Sequence, residues 1–438
     1  MRRLQFVRAA CVLLLLAACG GPAPDRTGTV GYGAAPLLPE AHRGLLPTVN
    51  AARAVGWPAG AAPVAAEGFA VARYAEGLAH PRQIVTLPNG DVLVAEASTL
   101  PERGGGLLAW ARNSVQRSAG ALAENANRIT LLRDADGDGD VDLRTVFAEG
   151  LNQPYGMAVV GAHFYVANTD AVLRFAYREG QTRVEGEGAV IVRIPQREGR
   201  NGHWTRDLIA SPDGTKLYLS VGSLSNIPRN ARELALEESR AAIWEIDLAS
   251  GAHRIFASGL RNPNGLAWAP VTGALWTVVN ERDELGDDLV PDYMTSVRDG
   301  GFYGWPWSYF GDNVDTRVRP PNPEMVARAI APDYALGAHT ASLGMHFYLG
   351  TLFPEPYRGG AFIGQHGSWN RSEPSGYKVI YVPFTDGRPS GPPQDFLTGF
   401  LDADERARGR PVGVAMDRTG ALLVSDDVGN IVWRVAPD

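Results

Sequence analysis

The sequence predicts an all-β fold, a six-bladed β-propeller that spans residues 67–438. An apolar strand, a turn that contains glycine and a second β-rich strand recur six times along the chain. The turn glycines lie roughly 50 to 90 residues apart, about the length of one four-stranded blade with its loop. Convincing long helices are few, and the best short candidate is Ala231 to Ser239. A pair of β-sandwiches is the structural alternative.

The third copy of the repeat shows the pattern most clearly. Its Ser211-Pro212-Asp213-Gly214 has turn chemistry, and Leu217-Tyr218-Leu219-Ser220-Val221 follows as a strand. The six copies begin near His80, Gln153, Asn201, Arg261, Tyr357 and Arg410. The residues just before a first strand are loop positions at one mouth of a propeller. The polar residues at these positions are Gln153, His203, Arg261, Asn262 and Arg410. We expect them to converge on one axial cleft, which is a small-molecule site by geometry.

The N-terminus has the pattern of an export signal. Basic residues precede an apolar run from Ala9 to Ala18, which is too short to span a bilayer. The run ends in Leu16-Ala17-Ala18-Cys19-Gly20, which resembles the bacterial lipobox. Residues 1–18 are therefore predicted to be a lipoprotein signal peptide, with Cys19 as the lipidated residue. This predicts a lipoprotein of the cell envelope that faces the periplasm, at the outer membrane. An ordinary secretory signal with a chance cysteine is the alternative.

Composition and charge narrow the classes of partner. Cys11 and Cys19 are the two cysteines of the 438-residue chain, so the mature domain would rely on its core rather than on disulfides. The formal charge is −7, and cleavage of the signal would remove three arginines and make it more negative. A nucleic-acid partner is therefore not expected. Residues 19–66 are rich in Gly, Pro and Ala and predict a flexible tether, with Trp57 as a residue that could dock on the domain.

Four stretches, in order, carry a resemblance to a known family. They are His203 with Leu208, Pro212-Asp213 and Leu217-Tyr218; Gly259-Leu260-Arg261-Asn262-Pro263-Asn264-Gly265; Gly300-Gly301-Phe302-Tyr303-Gly304-Trp305-Pro306; and Arg408-Gly409-Arg410-Pro411-Val412. In these stretches the chain resembles the soluble PQQ-dependent sugar dehydrogenases, the glucose/sorbosone dehydrogenase family, and within it the L-sorbosone dehydrogenase-like branch. The resemblance covers about residues 70–438.

The resemblance implies a PQQ-dependent oxidoreductase that oxidises an aldose or a sorbosone-like sugar aldehyde. His203 would be the general base, since its near-neutral pKa suits proton removal from a hydroxyl. Gln153 would flank the substrate. The residues expected to bind the three carboxylates and the quinone of PQQ are Arg261, Asn262, Arg371, Arg408 and Arg410. A Ca²⁺ ion would polarise the quinone, and electrons would pass to a quinone or cytochrome acceptor.

Two acidic stretches are candidates for calcium. In Val279 to Asp288 the sequence departs from the family pattern, and Glu281 and Asp283 could ligate the cofactor's calcium through their carboxylates. A second candidate places Asp134, Asp136, Asp138 and Asp140 at positions 1, 3, 5 and 7 of an EF-type loop. Position 12 of that loop is Thr145, and a solvated acidic turn is the alternative.

Two further functions remain open on the same architecture. One is a Ca²⁺-dependent hydrolase of the lactonase type, which would need a metal-bound water and no quinone; the arginine cluster argues against it. The other is a non-enzymatic carbohydrate-binding propeller that has kept the scaffold. Binding of PQQ would distinguish the dehydrogenase from the hydrolase and from the binding propeller.

Overall fold

The structure is a computed structural model that describes residues 30–42, 44, 48–102, 106–196 and 202–438. The predicted signal peptide and Cys19 lie outside the described residues. In chain order the strands are β1 (Tyr32–Gly33), β2 (Val64–Ala65), β3 (Phe69–Ala75), β4 (Pro81–Thr86), β5 (Val92–Glu96), β6 (Arg128–Arg133), β7 (Leu143–Ala148), β8 (Met157–Val160), β9 (His163–Ala167), β10 (Ala171–Ala176), β11 (Ala189–Arg193), β12 (Leu208–Ala210), β13 (Lys216–Val221), β14 (Ala242–Asp247), β15 (His253–Ser258), β16 (Asn262–Trp268), β17 (Leu275–Asn280), β18 (Pro291–Ser296), β19 (Ser308–Tyr309), β20 (Asn313–Val314), β21 (Tyr334–Ala338), β22 (Ser342–Phe347), β23 (Ala361–Gln365), β24 (Lys378–Val382), β25 (Phe384–Thr385), β26 (Arg388–Pro389), β27 (Gln394–Thr398), β28 (Pro411–Met416), β29 (Leu422–Asp426) and β30 (Ile431–Pro437).

The described residues form six blades, so the predicted six-bladed propeller is confirmed. From the axis outward, blade 1 is β4-β5-β6-β7, blade 2 is β8-β9-β10-β11 and blade 3 is β12-β13-β14-β15. Blade 4 is β16-β17-β18-β21, blade 5 is β22-β23-β24-β27 and blade 6 is β28-β29-β30-β3. Two further short pairs are β19-β20 and β25-β26. All strand pairs within the blades are antiparallel, as a meander requires.

The ring closes through the two ends of the propeller domain. Strand β3 pairs with β30, with Phe69 opposite Pro437, so blade 6 is built from both ends of the chain. The innermost strands contact one another in ring order, and β28 contacts β4. The cores lie between adjacent blades; between blades 1 and 2, for example, Leu93, Phe147 and Phe164 are fully buried together. Closure removes the free sheet edges on which unwanted pairing begins.

Glycines let the innermost strands approach each other. A Cβ atom on Gly344 would lie 2.3 Å from the carbonyl oxygen of Val412, and one on Gly156 would lie 2.2 Å from the amide nitrogen of Leu208. In blades 1 and 3 a polar pair takes the equivalent place, where Gln83 Nε2 donates to Asp207 Oδ1 at 2.9 Å. These glycines lie in or next to the innermost strands, apart from the turn glycines of the repeat, and their lack of a side chain reflects the narrow axis of the propeller.

We expect Gly344→Ala to lower the free energy of unfolding by about 3 kcal/mol, because the new methyl group meets backbone that cannot move aside. Urea denaturation measures the change. Gly391→Ala is the matched control, since a Cβ atom there meets Pro383 Cγ at 3.1 Å as its nearest neighbour. Equal stability of the two variants would contradict the close-packed axis.

The described residues before the propeller do not behave as the predicted free tether. Strand β1 pairs with the outer edge of blade 4, and β2 pairs with the outer edge of blade 5. Trp57 packs at 5.2 Å from Trp433, and its Nε1 donates to Asp426 Oδ2 at 2.6 Å. This apolar and aromatic contact area explains why a segment rich in Gly, Pro and Ala is held on the domain.

Three α-helices occur among the described residues: α1 (Gly106–Ser118), α2 (Ala231–Leu236) and α3 (Pro323–Ala327). The helix predicted at Ala231 is present but ends at Leu236; Asn230 caps its start by accepting the amide of Glu233. Helix α1 was not predicted. Within the described part of the chain, no helix has the length and apolar character needed to cross a bilayer.

The fifth copy of the repeat was placed too late in the chain. Residues Glu355–Tyr357 form a 3₁₀-helix, and the stretch that follows is β23, the second strand of blade 5. The innermost strand is β22, which begins at Ser342. This shift matters because the loop before β22 reaches the axial cleft.

Candidate functional site

Polar side chains gather at one mouth of the propeller, called here the site face. Each innermost strand begins at this face and each second strand ends there, because the strands of a blade are antiparallel. His203 precedes β12, Arg261 precedes β16 and Arg410 precedes β28. The equivalent loop of blade 5 supplies His339, and the second strand of blade 6 is followed by Asp427. The predicted convergence of the strand starts is therefore present in the topology.

His203 is held in one tautomer by Ser223. Its Nδ1 lies 3.0 Å from the Ser223 carbonyl oxygen and 3.1 Å from Ser223 Oγ, which itself donates to Ser225 O at 2.7 Å. Since both oxygens can only accept from this nitrogen, Nδ1 carries the proton and Nε2 keeps its lone pair. Burial, and then the charge of Arg261, lower the pKa of His203 to about 3. The near-neutral pKa expected for this histidine is therefore not found. The ring is neutral near pH 7, and its Nε2 is a hydrogen-bond acceptor of lowered basicity.

Asn262 lies beside His203 across Gly222. A Cβ atom on Gly222 would lie 2.4 Å from Asn262 Oδ1 and 2.7 Å from His203 Cβ, so glycine is required between the two side chains. Asn262 Oδ1 is buried without a hydrogen-bond partner among the described residues. An orphaned acceptor next to a candidate base is typical of a position that a ligand completes.

His203, Asn262 and Arg261 form one wall of the cleft, and Arg261 is its buried cation. Its guanidinium donates to Glu281 O at 2.5 Å and to Asn226 Oδ1 at 3.1 Å, and it pairs with Asp283 Oδ2 at 3.1 Å. These acceptors come from the loops that follow β13 and β17. The arrangement fixes the guanidinium next to His203, where its charge disfavours protonation of the imidazole.

His339 completes the same network from blade 5. Its Nδ1 lies 3.3 Å from Asp283 Oδ1, and its Nε2 lies 2.9 Å from Gly286 O. Burial would lower the pKa of His339, but the hydrogen bond and charge of Asp283 raise it above the ordinary value. Burial would likewise raise the pKa of Asp283, which Arg261 and His339 hold below its ordinary value. One carboxylate is thus shared between an arginine and a histidine.

The opposite wall is a second cluster around Asp427. Asp427 Oδ2 pairs with Arg82, lies 2.8 Å from His366 Nε2 and lies 3.3 Å from His80 Nε2. These neighbours outweigh the effect of burial and hold the pKa of Asp427 well below its ordinary value. Burial is the main cause that lowers the pKa of His366, and the positive charge of Arg410 lowers it further. Arg410 is therefore a further cation of this wall. The wall therefore carries more positive than negative groups.

An aromatic and apolar floor lies between the blades at the same mouth. Tyr155, Leu343 and Val412 are buried together, and Trp204 packs against them. The guanidinium of Arg82 lies 5.4 Å from the centre of the Trp204 ring and 5.9 Å from that of Tyr155. A flat apolar surface below cations suits a planar, anionic ligand.

Residues 48–57, from the N-terminal segment, contact two side chains beside the cleft. Arg410 Nη2 donates to Ala52 O at 3.1 Å, and its guanidinium lies 5.0 Å from the centre of the Tyr377 ring. Asn370 Nδ2 donates to Thr48 O at 2.5 Å. Residues 48–57 therefore help to position a predicted cofactor-binding arginine.

The two predicted ligands of the cofactor's calcium ion, Glu281 and Asp283, form ion pairs with cations of this chain. The Glu281 carboxylate pairs with Arg282 Nε at 3.1 Å, and both side chains are fully buried. Asp283 reaches the cleft, but Arg261 and His339 occupy its carboxylate. Glu281 Oε1, however, is buried without a hydrogen-bond partner among the described residues, and the ligation of a calcium ion by these two carboxylates stays a prediction.

Three other predicted residues have partners outside the two walls. Arg371 donates to Asp287 O at 2.6 Å and pairs with Asp288 Oδ1 at 2.9 Å. Gln153 Nε2 donates to Ser98 O at 2.8 Å. This hydrogen bond joins the loop after β5 of blade 1 to the loop before β8 of blade 2. Arg408 is half-buried, with its backbone amide donating to Phe400 O at 2.8 Å. Their predicted roles toward cofactor and substrate remain predictions.

The acidic loop lies at the face opposite the site, in the turn between β6 and β7. Carboxylate oxygens of Asp134, Asp136 and Asp138 approach within 4.8 Å of one another, and Asp140 does not join this group. Asp134 also accepts the amides of Gly137 and Gly139 and faces Arg418 at 3.6 Å. The loop is a candidate cation site away from the cleft.

Several residues of the cleft were not predicted. They are His80, Arg82, His339, His366 and Asp427. His80 and Arg82 stand in the first copy of the repeat at the strand start, so the rule that selected His203 applies to them as well. His339 was missed because the fifth repeat was placed too late. His366 and Asp427 follow second strands, and no pattern in the sequence pairs them.

The fold and cleft define a class: a six-bladed propeller whose axial mouth holds a neutral histidine between buried arginines. Residues 78–368 match the Glucose / Sorbosone dehydrogenase family, and residues 322–436 match the TrAA12-like family. The chain belongs to the glucose/sorbosone dehydrogenase family, as the resemblance implied.

Individual proteins are similar to this chain. A protein of Borreliella burgdorferi is 33% identical over 235 residues, which cover 53% of this chain and 60% of that protein. A pyrroloquinoline quinone-dependent sugar dehydrogenase of Hypocrea jecorina is 27% identical over 425 aligned positions, covering 84% of this chain and 87% of that protein. The pyranose dehydrogenase PQQ domain from Coprinopsis cinerea, solved in its holo form, has a TM-score of 0.69 at 22% identity and covers 86% of this chain and 97% of that domain. That likeness shows the fold.

Proposed function

We propose that this protein is a PQQ-dependent oxidoreductase that oxidises an aldose or a sorbosone-like sugar aldehyde in the axial cleft. The observation that carries the proposal is His203, whose Nδ1 is fixed by Ser223 and whose Nε2 is left as an acceptor beside buried Arg261. The family membership and the PQQ-dependent relatives support it. Electrons would leave for a quinone or cytochrome acceptor, and a lipid on Cys19 would keep the protein at the membrane.

The residues of the cleft fit an anionic quinone. Nε of Arg82 and Nε of Arg410 are buried without a hydrogen-bond partner among the described residues, as is Asn262 Oδ1. Buried donors that lack acceptors are costly unless a ligand supplies them. Carboxylates are the acceptors that guanidinium groups bind best. Arg82 and Arg410 would therefore hold PQQ together with the neighbouring Arg261, and the half-buried Trp204 is the aromatic side chain of the floor that would contact its rings.

His203 would remove the proton from the substrate hydroxyl. A neutral imidazole with a free Nε2 can accept that proton without first losing one, which a protonated histidine could not do. PQQ, when bound, supplies the two-electron acceptor for the hydride of the same carbon. Burial, and then the charge of Arg261, keep the imidazole neutral before the substrate arrives. Glu281 Oε1, which is buried without a hydrogen-bond partner among the described residues, is the oxygen of this stretch that would remain available to a calcium ion beside the cofactor.

A titration of the metal-stripped protein with PQQ and Ca²⁺ tests the proposal, followed by aldoses and sorbosone with a dye acceptor. We expect uptake of PQQ that requires Ca²⁺, and dye reduction in the presence of a sugar. We expect Arg82→Gln to weaken uptake by about tenfold or more, since a buried charge-assisted contact is lost. Arg388→Gln, on a short strand pair outside the blades, is the control. Absence of PQQ uptake at every Ca²⁺ concentration would overturn the dehydrogenase and leave the hydrolase or the binding propeller.

A further inference from the structure

A group of exposed apolar side chains lies on the site face, around the mouth of the cleft. Helix α1 leaves Leu107, Leu108 and Trp110 78%, 71% and 66% exposed. We call the following residues the apolar rim: Val49, Val55, Leu107, Leu108, Trp110 and Trp369. Large exposed apolar groups that lie side by side at one face mark an interaction site rather than ordinary surface.

The members of the apolar rim belong to one continuous surface. Helix α1 lies in the connection from β5 to β6, which stands at the site face because β5 ends there. The amide of Ala54 donates to Ser118 O at 2.8 Å, which joins residues 48–57 to the end of α1. The amide of Asn50 donates to Trp369 O at 2.8 Å, which joins the same segment to blade 5. The rim therefore extends from blade 1 to blade 5 along one side of the mouth.

The chain enters the described structure at this same face. Tyr32 lies opposite Leu336 and Gly33 opposite Ala335, so β1 runs antiparallel to β21 and its N-terminal end lies toward Ala338. Ala338 immediately precedes His339 of the cleft. Cys19 stands 11 positions before Val30. Covalent geometry limits a span of that length to about 40 Å. A lipid on Cys19 would hold the site face within that distance of a bilayer.

The chemistry of the rim suits a lipid surface. Tryptophan and leucine side chains favour the boundary between headgroups and acyl chains, and arginines beside them favour anionic headgroups. Arg117 is exposed on α1, and Arg112, also exposed, pairs with Glu102 at 3.4 Å. An anchor of one lipidated residue gains strength from a second, adjacent contact with the same membrane.

We propose that the apolar rim docks on the bilayer, so that the cleft faces the membrane and passes electrons to a quinone dissolved in it. The docking rests on the proposed lipidation, and the acceptor rests on the proposed function. In the transfer, reduced PQQ would give two electrons and two protons to the lipid-dissolved quinone, which becomes a quinol while PQQ returns to its oxidised form. A second copy of the chain or a cytochrome on the rim would be the competing occupants.

The docking is tested with the chain from Gly20 to Asp438, which lacks both the predicted signal peptide and the acylation site. Sedimentation is measured with vesicles of phosphatidylethanolamine and phosphatidylglycerol in a 7:3 ratio, and with phosphatidylcholine vesicles. We expect binding to the anionic vesicles, reduced about tenfold or more by the combined Leu107→Gln, Leu108→Gln and Trp110→Gln. The combined Val271→Gln and Leu349→Gln is the matched control, since these residues are 71% and 62% exposed in turns of the opposite face. Equal binding of the rim and control variants would overturn the docking, and so would a dimer that the rim substitutions dissociate.

The acceptor is tested with the lipidated protein in vesicles that contain ubiquinone. The rim variant should keep dye reduction and lose most ubiquinone reduction, because its substitutions leave the cleft unchanged. Ubiquinone reduction at the wild-type rate would overturn the membrane-facing orientation, as would a wild-type requirement for a soluble cytochrome. Absence of dye reduction in the wild type would instead reject the proposed function, and the sedimentation result would still decide the docking.

Discussion

Replacing His203 with asparagine is expected to lower kcat by about 10³-fold while PQQ uptake is retained, because positioned proton transfer contributes about 10² to 10⁴ to a rate. Asparagine can keep a hydrogen bond to Ser223 but has no basic nitrogen, so the site stays folded without its base. Single-turnover reduction of bound PQQ by a sugar measures the effect directly. A variant with wild-type turnover would show that another group removes the proton.

The pH dependence follows from the same environment. Burial and Arg261 lower the pKa of His203 to about 3, so the base is neutral at every pH well above that value. Titration of His203 should therefore not reduce kcat/KM between pH 5 and pH 8, and any loss from this group begins only as the pH approaches its pKa. His253→Asn is the control for substitution of a histidine, because His253 stacks on Trp244 at the outside of blade 3. A kcat/KM profile that falls near pH 6.5 and is flattened by His203→Asn would contradict the lowered pKa.

The parts of this molecule that depend on short-range chemistry were predictable from the sequence. Turn residues such as Ser211-Pro212-Asp213-Gly214 fix hairpins locally, and their sixfold recurrence is sufficient to predict the propeller. The resemblance singled out His203 and Arg261, and the structure places them together.

The remaining parts depend on partners that are distant in the chain. Glu281 and Asp283 resemble ligands by spacing, yet each meets a cation that the spacing does not reveal. The contact between His366 and Asp427 joins residues 61 positions apart, and that between Arg82 and Asp427 joins residues 345 positions apart. Which acidic residue is free to bind a ligand is thus a property of the folded packing. Composition likewise could not show that Arg410 and Asn370 donate hydrogen bonds to carbonyl oxygens of residues 48–57 and so hold this segment beside the cleft.

Arg282→Met is expected to lower the free energy of unfolding by about 3 to 5 kcal/mol, because it removes one partner from a buried ionic network. Arg282 lies 3.1 Å from Glu281 Oε2 and 3.1 Å from Asp315 Oδ2, and all three side chains are fully buried. It also donates to the carbonyl oxygens of Pro306 and Ser308. Without Arg282, the Glu281 carboxylate would be a buried charge with no compensating cation among the described residues. Urea denaturation measures the loss.

The comparison with Arg254→Met separates burial from the number of ion pairs. Arg254 pairs with two carboxylates as well, Glu245 at 3.0 Å and Asp299 at 2.5 Å, but its side chain is 46% exposed. Water solvates the carboxylates that this substitution leaves, so we expect a change of about 1 kcal/mol or less. Adding Glu281→Gln to Arg282→Met should restore part of the stability, since it removes the uncompensated charge. Equal losses for the two arginines would mean that pairing rather than burial decides the cost. The distinction bears on the cleft, because the loop that Arg282 holds also presents Glu281 O and Asp283 to Arg261. After burial, the charge of Arg261 is the second cause that lowers the pKa of His203.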